Sequence, residues 1–420
     1  MSRVVRLLHR GRNSARTAHV RPALTRQYAS RSTKVIAHAL PVPLGEREGK
    51  FIASAGELYA WNSWARQHAE TVSSQLHLDA DLPSMSSLFT EVDWILEDAV
   101  AGVRKCPKDD EWRAFGRMSH RREFPDHYQV LLRENLDDLR KLWALRLSNR
   151  VPLQYLTATC HWRDLVLVVA PGVLIPRPET ERMVDFVAGA LDRSPNLAHI
   201  PWVDLGTGSG SLAISIAMEL ETIRKQGPNA SSSEIDQVLV HAVDLSPTAV
   251  KIARLNVQRN FTEDATGLVH VRVHEESWYE PLEMNALGRA RVDNQEYIGT
   301  FGGIVSNPPY IPSEDMRGLQ PEVRLHEPWL ALDGGSNQAL DSFTSICSGA
   351  VAHLVPGGFL LLETNGEAQS QAVAKMLQDV RKPDQKQGSS NSEGRVFENI
   401  DVSSDYCGVR RFVSAWKVLQ

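Results

Sequence analysis

The sequence predicts an α/β protein in which an open parallel sheet, with helices on both faces, follows a smaller helical domain. In the second half of the chain short apolar segments alternate with helical stretches, an order typical of parallel sheets with crossover helices. Between residues 54 and 149, by contrast, apolar residues recur at helical spacing among charges of both signs. The segments predicted as strands of the sheet are Trp202–Leu205, Val238–Val243, Val269–Val273, Gly303–Ser306, Phe359–Glu363 and Phe412–Val418.

The first 34 residues form a basic segment. They contain eight arginines, one lysine and no acid, and Ser, Thr, Ala and His make up much of the rest. This composition is typical of a mitochondrial transit peptide, so we expect the protein in the mitochondrial matrix. A basic arm that contacts nucleic acid is the alternative.

The remainder of the chain is acidic. The formal charge is −5 overall, and the +9 of the basic segment leaves −14 on the other residues. Nucleic acids need basic surface, so we expect no direct sequence-specific contact with them. No run of 18 apolar residues occurs, which predicts no transmembrane helix and no membrane partner. The cysteines lack metal-ligand spacing, which argues against a metal site; they are Cys106, Cys160, Cys347 and Cys407.

Four regions follow from these patterns. A linker hairpin is predicted because Leu165–Val169 is rich in strand-forming residues and Pro171-Gly172 provides a turn before Val173–Ile175. Three polar insertions, to which we assign no chemistry, are Gln226–Asp236, Asn285–Thr300 and Lys382–Gly394. The regions are the transit peptide (1–34), an N-terminal helical bundle for packing or substrate and partner recognition (50–150), the hairpin linker (151–180) and the α/β domain (181–420).

A glycine-rich turn follows the first predicted strand of the sheet. Glycines at alternate positions let the backbone turn sharply and approach a ligand closely, beside the N–H groups of a helix that begins near Ser211. Alone, such a turn also fits a dinucleotide, another nucleotide or no ligand. Its residues are Gly206, Thr207, Gly208, Ser209 and Gly210.

Two further residues suggest which ligand the turn holds. Asp244 ends the next predicted strand, where a carboxylate can accept hydrogen bonds from ribose hydroxyls. With Asp204 on the first strand, and without the dinucleotide spacing of glycines, the pattern favours an S-adenosylmethionine site. Trp278 follows the third strand and could flank an adenine. The alternatives are a helix-start acid for Asp244 and a core aromatic for Trp278.

A rigid polar turn, Asn307-Pro308-Pro309-Tyr310, follows the strand Gly303–Ser306. The prolines end the strand because they lack an N–H and fix their own φ, and Pro308 keeps Asn307 out of the helical region. The Asn307 side chain, the backbone carbonyls and the Tyr310 ring are therefore held at the end of a strand. They offer acceptors to a planar –NH2 group and an aromatic surface to cover it. We predict that these four residues form the catalytic site for an amide or exocyclic amine.

With these elements in place, the chain from about Val151 to Val418 resembles the HemK/PrmC-type glutamine methyltransferases that modify peptide chain release factors. Together with the basic leader, it resembles the mitochondrial members. One departure is that Glu363-Thr364-Asn365-Gly366 lacks the simpler acid–apolar–glycine run of the family. Besides the two turns above, the matching segments are Pro152–Thr157, Leu174–Glu181, Pro356–Phe359 and Asp405–Arg411.

The resemblance implies a class I S-adenosylmethionine-dependent methyltransferase fold, with a Rossmann-like seven-stranded sheet behind the helical bundle and hairpin. It also implies methylation of the glutamine amide in the Gly-Gly-Gln motif of a release factor. By matching position, Gly206–Gly210, Asp244, Trp278 and Asn307 would hold S-adenosylmethionine, and Asn307–Tyr310 would hold the glutamine.

Two other functions stay open at this point. The same turn can hold the amine of a flipped base, which would make the protein a DNA or RNA methyltransferase. A methyltransferase-fold scaffold without activity is the second alternative. Arg177, Glu179 and Glu181 are expected to brace the hairpin against the α/β domain, with contact to a ligand as the alternative.

Overall fold

A computed structural model describes residues 40–75, 81, 83–106, 111–113, 127–226, 238–261, 268–279, 290–292, 295–297, 301–381 and 394–419. The predicted transit peptide and most of the three polar insertions lie outside these residues. Within the described ranges, no helix combines the length and the apolar character that a bilayer crossing requires.

The N-terminal unit packs three helices, counted among the described residues, on a three-stranded antiparallel sheet in the order β1-β3-β2. Its elements are β1 (Phe51–Ser54), α1 (Ala55–Gln75), α2 (Met85–Ala99), β2 (Val100–Lys105), β3 (Tyr128–Leu132) and α3 (Leu136–Ser148). Ser84 and Asn135 cap α2 and α3, because their side-chain oxygens accept backbone N–H groups of the first turn. Trp61 and Trp143 lie fully buried at the centre of this unit.

The prediction of a helical bundle for residues 50–150 missed this sheet. Val100 continues the apolar spacing of α2, yet its backbone is already extended, with φ −85° and ψ 116°. β3 has five residues and buries only Val130 and Leu132. Such a short alternation is hard to separate from a helical pattern by periodicity alone. The described part of the unit is therefore mixed helix and sheet.

The linker contains α4 (Leu153–Thr157) and an antiparallel hairpin of β4 (Thr159–Trp162) and β5 (Leu165–Val168). A hairpin is present, but its turn lies at Arg163, which has a positive φ of 50°. The predicted pairing across Pro171-Gly172 was wrong. The backbone N–H of Ile175, which would have joined that ladder, donates instead to Glu327 Oε2 at 3.1 Å.

The α/β domain is built on a seven-stranded sheet in the order β15-β16-β14-β11-β6-β7-β8, in which β16 alone runs antiparallel. β9 and β10 form a separate hairpin, and β12 pairs with β13. Its elements are α5 (Glu181–Arg193), β6 (Trp202–Leu205), α6 (Ser211–Gln226), β7 (Val238–Asp244), α7 (Pro247–Asn260), β8 (Val269–Glu275), β9 (Ala290–Val292), β10 (Gln295–Tyr297), β11 (Phe301–Ser306), β12 (Ile311–Pro312), α8 (Pro321–His326), β13 (Asp333–Gly335), α9 (Asp341–His353), β14 (Leu354–Glu363), α10 (Glu367–Asp379), β15 (Phe397–Ser404) and β16 (Arg410–Lys417).

Helices cover both faces of this sheet, as the sequence predicted. α5 and α6 pack on one face, and α9 and α10 pack on the other. Every residue of β6 and β11 is buried, which is expected of central parallel strands covered on both sides. All six predicted strands are present, and their parallel members end at one edge of the sheet, where ligands of such folds bind.

Asn256 of α7 fixes the linker to this edge. Its buried side chain accepts the N–H of Val168 at 2.7 Å and donates to the Val168 carbonyl at 2.9 Å. The same amide donates to the carbonyl of Ser209, in the glycine-rich turn, at 2.9 Å. One buried amide therefore joins hairpin, helix and turn, which sets the position of the linker relative to the sheet.

A buried ion network joins the N-terminal unit to the α/β domain. Arg146 of α3 pairs with Glu91 of α2 at 2.7 Å and with Glu322 of α8 at 2.9 Å. Arg150 binds the other oxygen of Glu322 at 2.6 Å. These side chains are at most 14% exposed, so each charge depends on its partners for stabilisation.

Glu322→Gln should lower the free energy of unfolding by about 3–5 kcal/mol, because it leaves two arginines without their shared carboxylate. Urea denaturation of the full chain measures the effect. Asp137→Asn, which breaks the exposed pair with Arg140, is the matched control and should cost less than about 1 kcal/mol. Equal and small losses in both variants would show that the network does not stabilise the contact between the units.

Candidate active site

The glycine-rich turn lies between β6 and α6 and folds back on the end of β7. The N–H groups of Gly206 and Thr207 both donate to the Val243 carbonyl, at 2.9 and 3.0 Å. Gly208 has a φ of +56°, and no atom lies within 4 Å of the position that a Cβ would take there. The turn therefore needs glycine for its backbone and leaves open space beside it, which fits the close approach of a ligand.

Asp244, at the end of β7, supports the turn directly. Its Oδ2 accepts the N–H of Gly208 at 2.8 Å, and its Oδ1 accepts the N–H of Ser246 at 2.9 Å. Burial raises the pKa of Asp244, and these backbone N–H groups oppose the rise. The backbone N–H of Leu245 also favours the ionised form of Asp244, and one lone pair of the carboxylate remains for a ribose hydroxyl.

The Asp204 side chain binds a residue of the glycine-rich turn itself. It is fully buried, and its Oδ2 accepts the hydroxyl of Thr207 at 2.6 Å. The Thr207 hydroxyl and the backbone N–H of Ala213 both favour its ionised form. Burial, together with the charge of Asp244, raises the pKa of Asp204 to about 7.

Trp278 lies beside the turn. A Cβ on Gly206 would come within 4.0 Å of the Trp278 ring and within 3.9 Å of the Asn307 carbonyl oxygen. Trp278 has a φ of +41°, an unusual backbone conformation for a large residue and one that clusters at functional sites. Its other contacts are with the apolar core under α9, so it is both a core aromatic and a neighbour of the turn.

The Asn307-Pro308-Pro309-Tyr310 turn leaves the end of β11 as predicted. The Nδ2 of Asn307 donates to the hydroxyl of Thr180 at 3.1 Å, which leaves Oδ1 as its available acceptor. The Tyr310 hydroxyl donates to Oε1 of Glu363, at the end of β14, at 3.3 Å. Burial raises the pKa of Tyr310, so the phenol stays protonated at neutral pH.

A small pocket lies beside this turn. Among the described residues, none of those that line the pocket is a carboxylate or a histidine, so they supply no general base. Its walls are Leu174, Arg177, Asn307, Tyr310, Ile311, Ala331 and Leu332.

Arg177 and Glu181 hold the linker in place, as the sequence suggested. Arg177 pairs with the buried carboxylate of Glu327 at 2.6 Å, and its carbonyl accepts the indole N–H of Trp162 at 2.9 Å. Glu181 accepts the backbone N–H of Arg163 at 3.2 Å, in the hairpin turn. Arg177 also lines the pocket, and its contact with a ligand stays a prediction.

Sequence reasoning missed two residues of this site. Thr180 lies among the charged residues and prolines of Leu174–Glu181, and Glu363 ends the predicted strand Phe359–Glu363, but neither was assigned a role in the site. Despite the departure from the family pattern, Glu363 ends β14 and pairs with Phe412 of β16, and the Thr364 hydroxyl that follows it bonds to Ser370 at 2.6 Å. A carboxylate at the end of a parallel strand was the one available signal for Glu363.

The strand order, the glycine-rich turn and the acid that supports it define a class I S-adenosylmethionine-dependent methyltransferase. A methyltransferase structure from Pyrococcus furiosus covers 67% of this chain and 98% of its own, at 13% identity and a TM-score of 0.34. Because that TM-score is low, the fold assignment rests on the strand order and not on the overall likeness. No family model matches the chain.

Curated relatives give the family. A release factor glutamine methyltransferase of Synechocystis is 35% identical over 307 residues, which are 72% of this chain and 86% of that protein. The human MTRF1L release factor glutamine methyltransferase is 29% identical over 290 residues, 68% of this chain and 72% of that protein. The chain belongs to the release factor glutamine methyltransferase family.

Asp204→Asn should reduce the pH dependence of stability. A carboxyl whose pKa rises from 3.8 unfolded to about 7 folded destabilises the protein progressively as pH increases across that window. The variant, whose amide oxygen can still accept the Thr207 hydroxyl, should therefore gain up to roughly 4 kcal/mol relative to the wild type between pH 4 and pH 7. Urea denaturation at both pH values measures the gain. A pH-independent difference between the two proteins would exclude a raised pKa for Asp204.

Proposed function

We propose that this chain transfers the methyl group of S-adenosylmethionine to the side-chain amide nitrogen of glutamine in the Gly-Gly-Gln motif of a peptide chain release factor. The observation that carries the proposal is the setting of Asn307. Its backbone carbonyl faces the glycine-rich turn, its Nδ2 is bound by Thr180, and its side chain lines the pocket. A group held in that pocket would lie next to the cofactor turn.

The residues of the turn fit S-adenosylmethionine. The open space beside Gly208 and the spare lone pair of Asp244 suit a nucleoside, and the Trp278 ring suits an adenine face. We assign the cofactor to Gly206–Gly210, Asp244, Trp278 and Asn307. When bound, it supplies an electrophilic methyl group on a sulfonium.

An amide nitrogen is a poor nucleophile, because its lone pair is delocalised into the carbonyl. Asn307 Oδ1 and the Pro308 carbonyl would accept both amide hydrogens and so orient the nitrogen toward the methyl group. Such alignment can lower a barrier by roughly 7–11 kcal/mol. The described residues that line the pocket include no carboxylate or histidine, which favours positioning over general-base catalysis.

Tyr310 would cover the amide in this arrangement. Its ring lines the pocket, and its hydroxyl is directed away toward Glu363. Positive charge develops on the amide nitrogen during transfer, and an aromatic face stabilises such charge by about 0.5–2 kcal/mol. After the methyl group has been transferred, the nitrogen loses one of its two original protons to water. Pro308 and Pro309 fix the spacing between the acceptor side chain and this ring.

We also propose that the substrate is a mitochondrial release factor and that the enzyme works in the matrix. The arginine-rich, acid-free composition of residues 1–34 supports this location. The −14 charge of the remaining chain favours a protein substrate over a nucleic acid.

A methyl-labelling assay tests the function. Purified full-length chain, labelled S-adenosylmethionine and a mitochondrial release factor should give one added methyl group on the motif glutamine, located by mass spectrometry. A release factor with glutamate in place of that glutamine is the control and should accept none. Label on RNA or DNA but not on the release factor would contradict the proposal, and no transfer at all would indicate an inactive scaffold.

Asn307→Ala should lower kcat by at least about 100-fold, because the amide loses its orienting acceptor. Cofactor affinity, measured by calorimetry, should change little. Wild-type turnover in this variant would exclude the positional mechanism.

Asp244→Ala should affect cofactor affinity more than turnover, the opposite of Asn307→Ala. Loss of hydrogen bonds to a charged acceptor should weaken S-adenosylmethionine binding by roughly 10–100-fold. Turnover at saturating cofactor should fall less than it does in Asn307→Ala. Unchanged affinity in calorimetry would remove Asp244 from the cofactor site.

A further inference from the structure

Gln369, in the first turn of α10, binds the backbone of the Asn-Pro-Pro-Tyr turn. Its Nε2 donates to the carbonyl of Tyr310 at 3.2 Å. The same NH2 group donates to the carbonyls of Gln338 and Ala339, at 3.2 and 3.1 Å. Two protons serve three oxygens, so one N–H is shared between two of them. Gln369 is not among the residues that line the pocket, so it is not placed to contact the substrate.

Backbone groups fix the orientation of the Gln369 amide. Its Oε1 accepts the backbone N–H of Asn365 at 2.8 Å. A backbone N–H can only donate and a backbone carbonyl can only accept, so the reversed amide would place donor against donor and acceptor against acceptors. The NH2 end of Gln369 therefore faces the turn that carries Tyr310.

The peptide unit that follows Tyr310 is bound on both sides. Gln369 binds its carbonyl, and its N–H, which belongs to Ile311, donates to the carbonyl of Leu332 at 2.9 Å. Ile311 and Leu332 both line the pocket. Because a peptide unit is planar, hydrogen bonds to its two polar groups fix its direction, and with it the direction in which the Tyr310 side chain leaves the backbone.

The segment bound by the same NH2 group has an unusual backbone conformation. Gln338 and Ala339 have φ values of +51° and +54°, and non-glycine residues in this region cluster at functional sites. The segment lies close to the turn. A Cβ on Gly334 would come within 2.6 Å of the Ala339 Cβ and within 2.9 Å of the Pro309 carbonyl oxygen, so this contact needs glycine.

We propose that Gln369 is a positioning residue that sets the direction of the Tyr310 ring by binding the Tyr310 carbonyl. This inference rests on the proposed methylation of a glutamine amide, which the ring would cover. The hydroxyl at the far end of the ring donates to Glu363 at 3.3 Å. Glu363 ends β14 and Gln369 lies at the start of α10, so a single connection binds Tyr310 at its backbone and at its hydroxyl.

Gln369→Glu tests the role with the smallest change of shape. The introduced carboxylate can still accept the Asn365 N–H, but it has no proton to donate and repels the three carbonyl oxygens. We expect kcat for methylation of a release factor to fall about 5-fold, because the ring would cover the amide in a smaller fraction of complexes. The charge that the ring stabilises develops only in the transition state, so KM for the release factor and calorimetric affinity for S-adenosylmethionine should change less than about 2-fold.

A double-mutant cycle with Tyr310→Ala locates the effect. That substitution removes the ring and keeps the backbone carbonyl that Gln369 binds. If Gln369 acts through the ring, adding Gln369→Glu to Tyr310→Ala should lower kcat by less than about 1.5-fold further. A merely structural contribution of Gln369 would lower kcat equally with and without the ring.

Gln371→Glu is the matched control, because it makes the same change two residues further along the same helix. Gln371 donates to Glu367 Oε1 at 2.9 Å on the exposed face of α10. Its substitution should leave kcat within about 1.5-fold of the wild type.

The outcomes are distinct. Wild-type kcat in Gln369→Glu, an equal loss in Gln371→Glu, a raised KM without a lowered kcat, or additive losses with Tyr310→Ala would overturn the positioning role while leaving the proposed function intact. A wild-type chain that methylates no release factor would overturn the proposed function, and the positioning role with it. If Gln369→Glu fails to fold, as judged by its melting temperature, Gln369→Met, which has neither a donor nor a charge, carries the same test.

Discussion

The hydrogen bond from Asn307 to Thr180 is the contact on which the rest of the proposed site depends. It joins the carboxyl end of a central strand to the segment that leads from the linker into α5. The amide is thereby fixed between the glycine-rich turn and the pocket. A freely rotating asparagine would offer a donor or an acceptor with similar ease, and the orientation of a substrate amide would be lost.

Much of the surrounding structure holds the segment before Thr180 in place. Glu327 binds both the Arg177 guanidinium and the backbone N–H of Ile175, and the indole of Trp162 binds the Arg177 carbonyl. Glu327 directly follows α8. Glu322 of that helix forms ion pairs with two arginines of the N-terminal unit. The N-terminal unit is thus connected to the pocket wall through a short series of buried ion pairs. Its position and the shape of the pocket depend on each other.

The sequence predicted the parts of the fold that depend on local pattern. β6 and β11 are short, mostly apolar strands that are buried throughout, and each is followed by glycines or prolines that also position the ligand-facing backbone. The hairpin was placed one strand too late, because nothing in Val173–Ile175 shows that a distant glutamate binds its backbone. The strands of the N-terminal unit were missed because β2 follows α2 without a break in apolar spacing. β15, which follows a polar insertion and alternates weakly, was not among the predicted strands, and the family resemblance implied only that the sheet has seven.

The candidate site likewise contains some residues that the sequence predicted and others that it did not. Its glycines, its Asn-Pro-Pro-Tyr turn and Asp244 were visible as short motifs, since each lies at the end of a predicted strand. Thr180 and Glu363 were not, because they act on Asn307 and Tyr310 across 127 and 53 positions of sequence. Such a pairing depends on the order of strands in the sheet, which a single sequence does not encode locally.

The most direct test of the central claim is a crystal structure of the full chain with S-adenosylhomocysteine and a Gly-Gly-Gln peptide. We expect the glutamine amide nitrogen to lie within about 3.2 Å of both Asn307 Oδ1 and the Pro308 carbonyl, with its third face toward the cofactor sulfur. A glutamine bound outside this pocket, or an Asn307 whose amide nitrogen faces the peptide, would contradict the account.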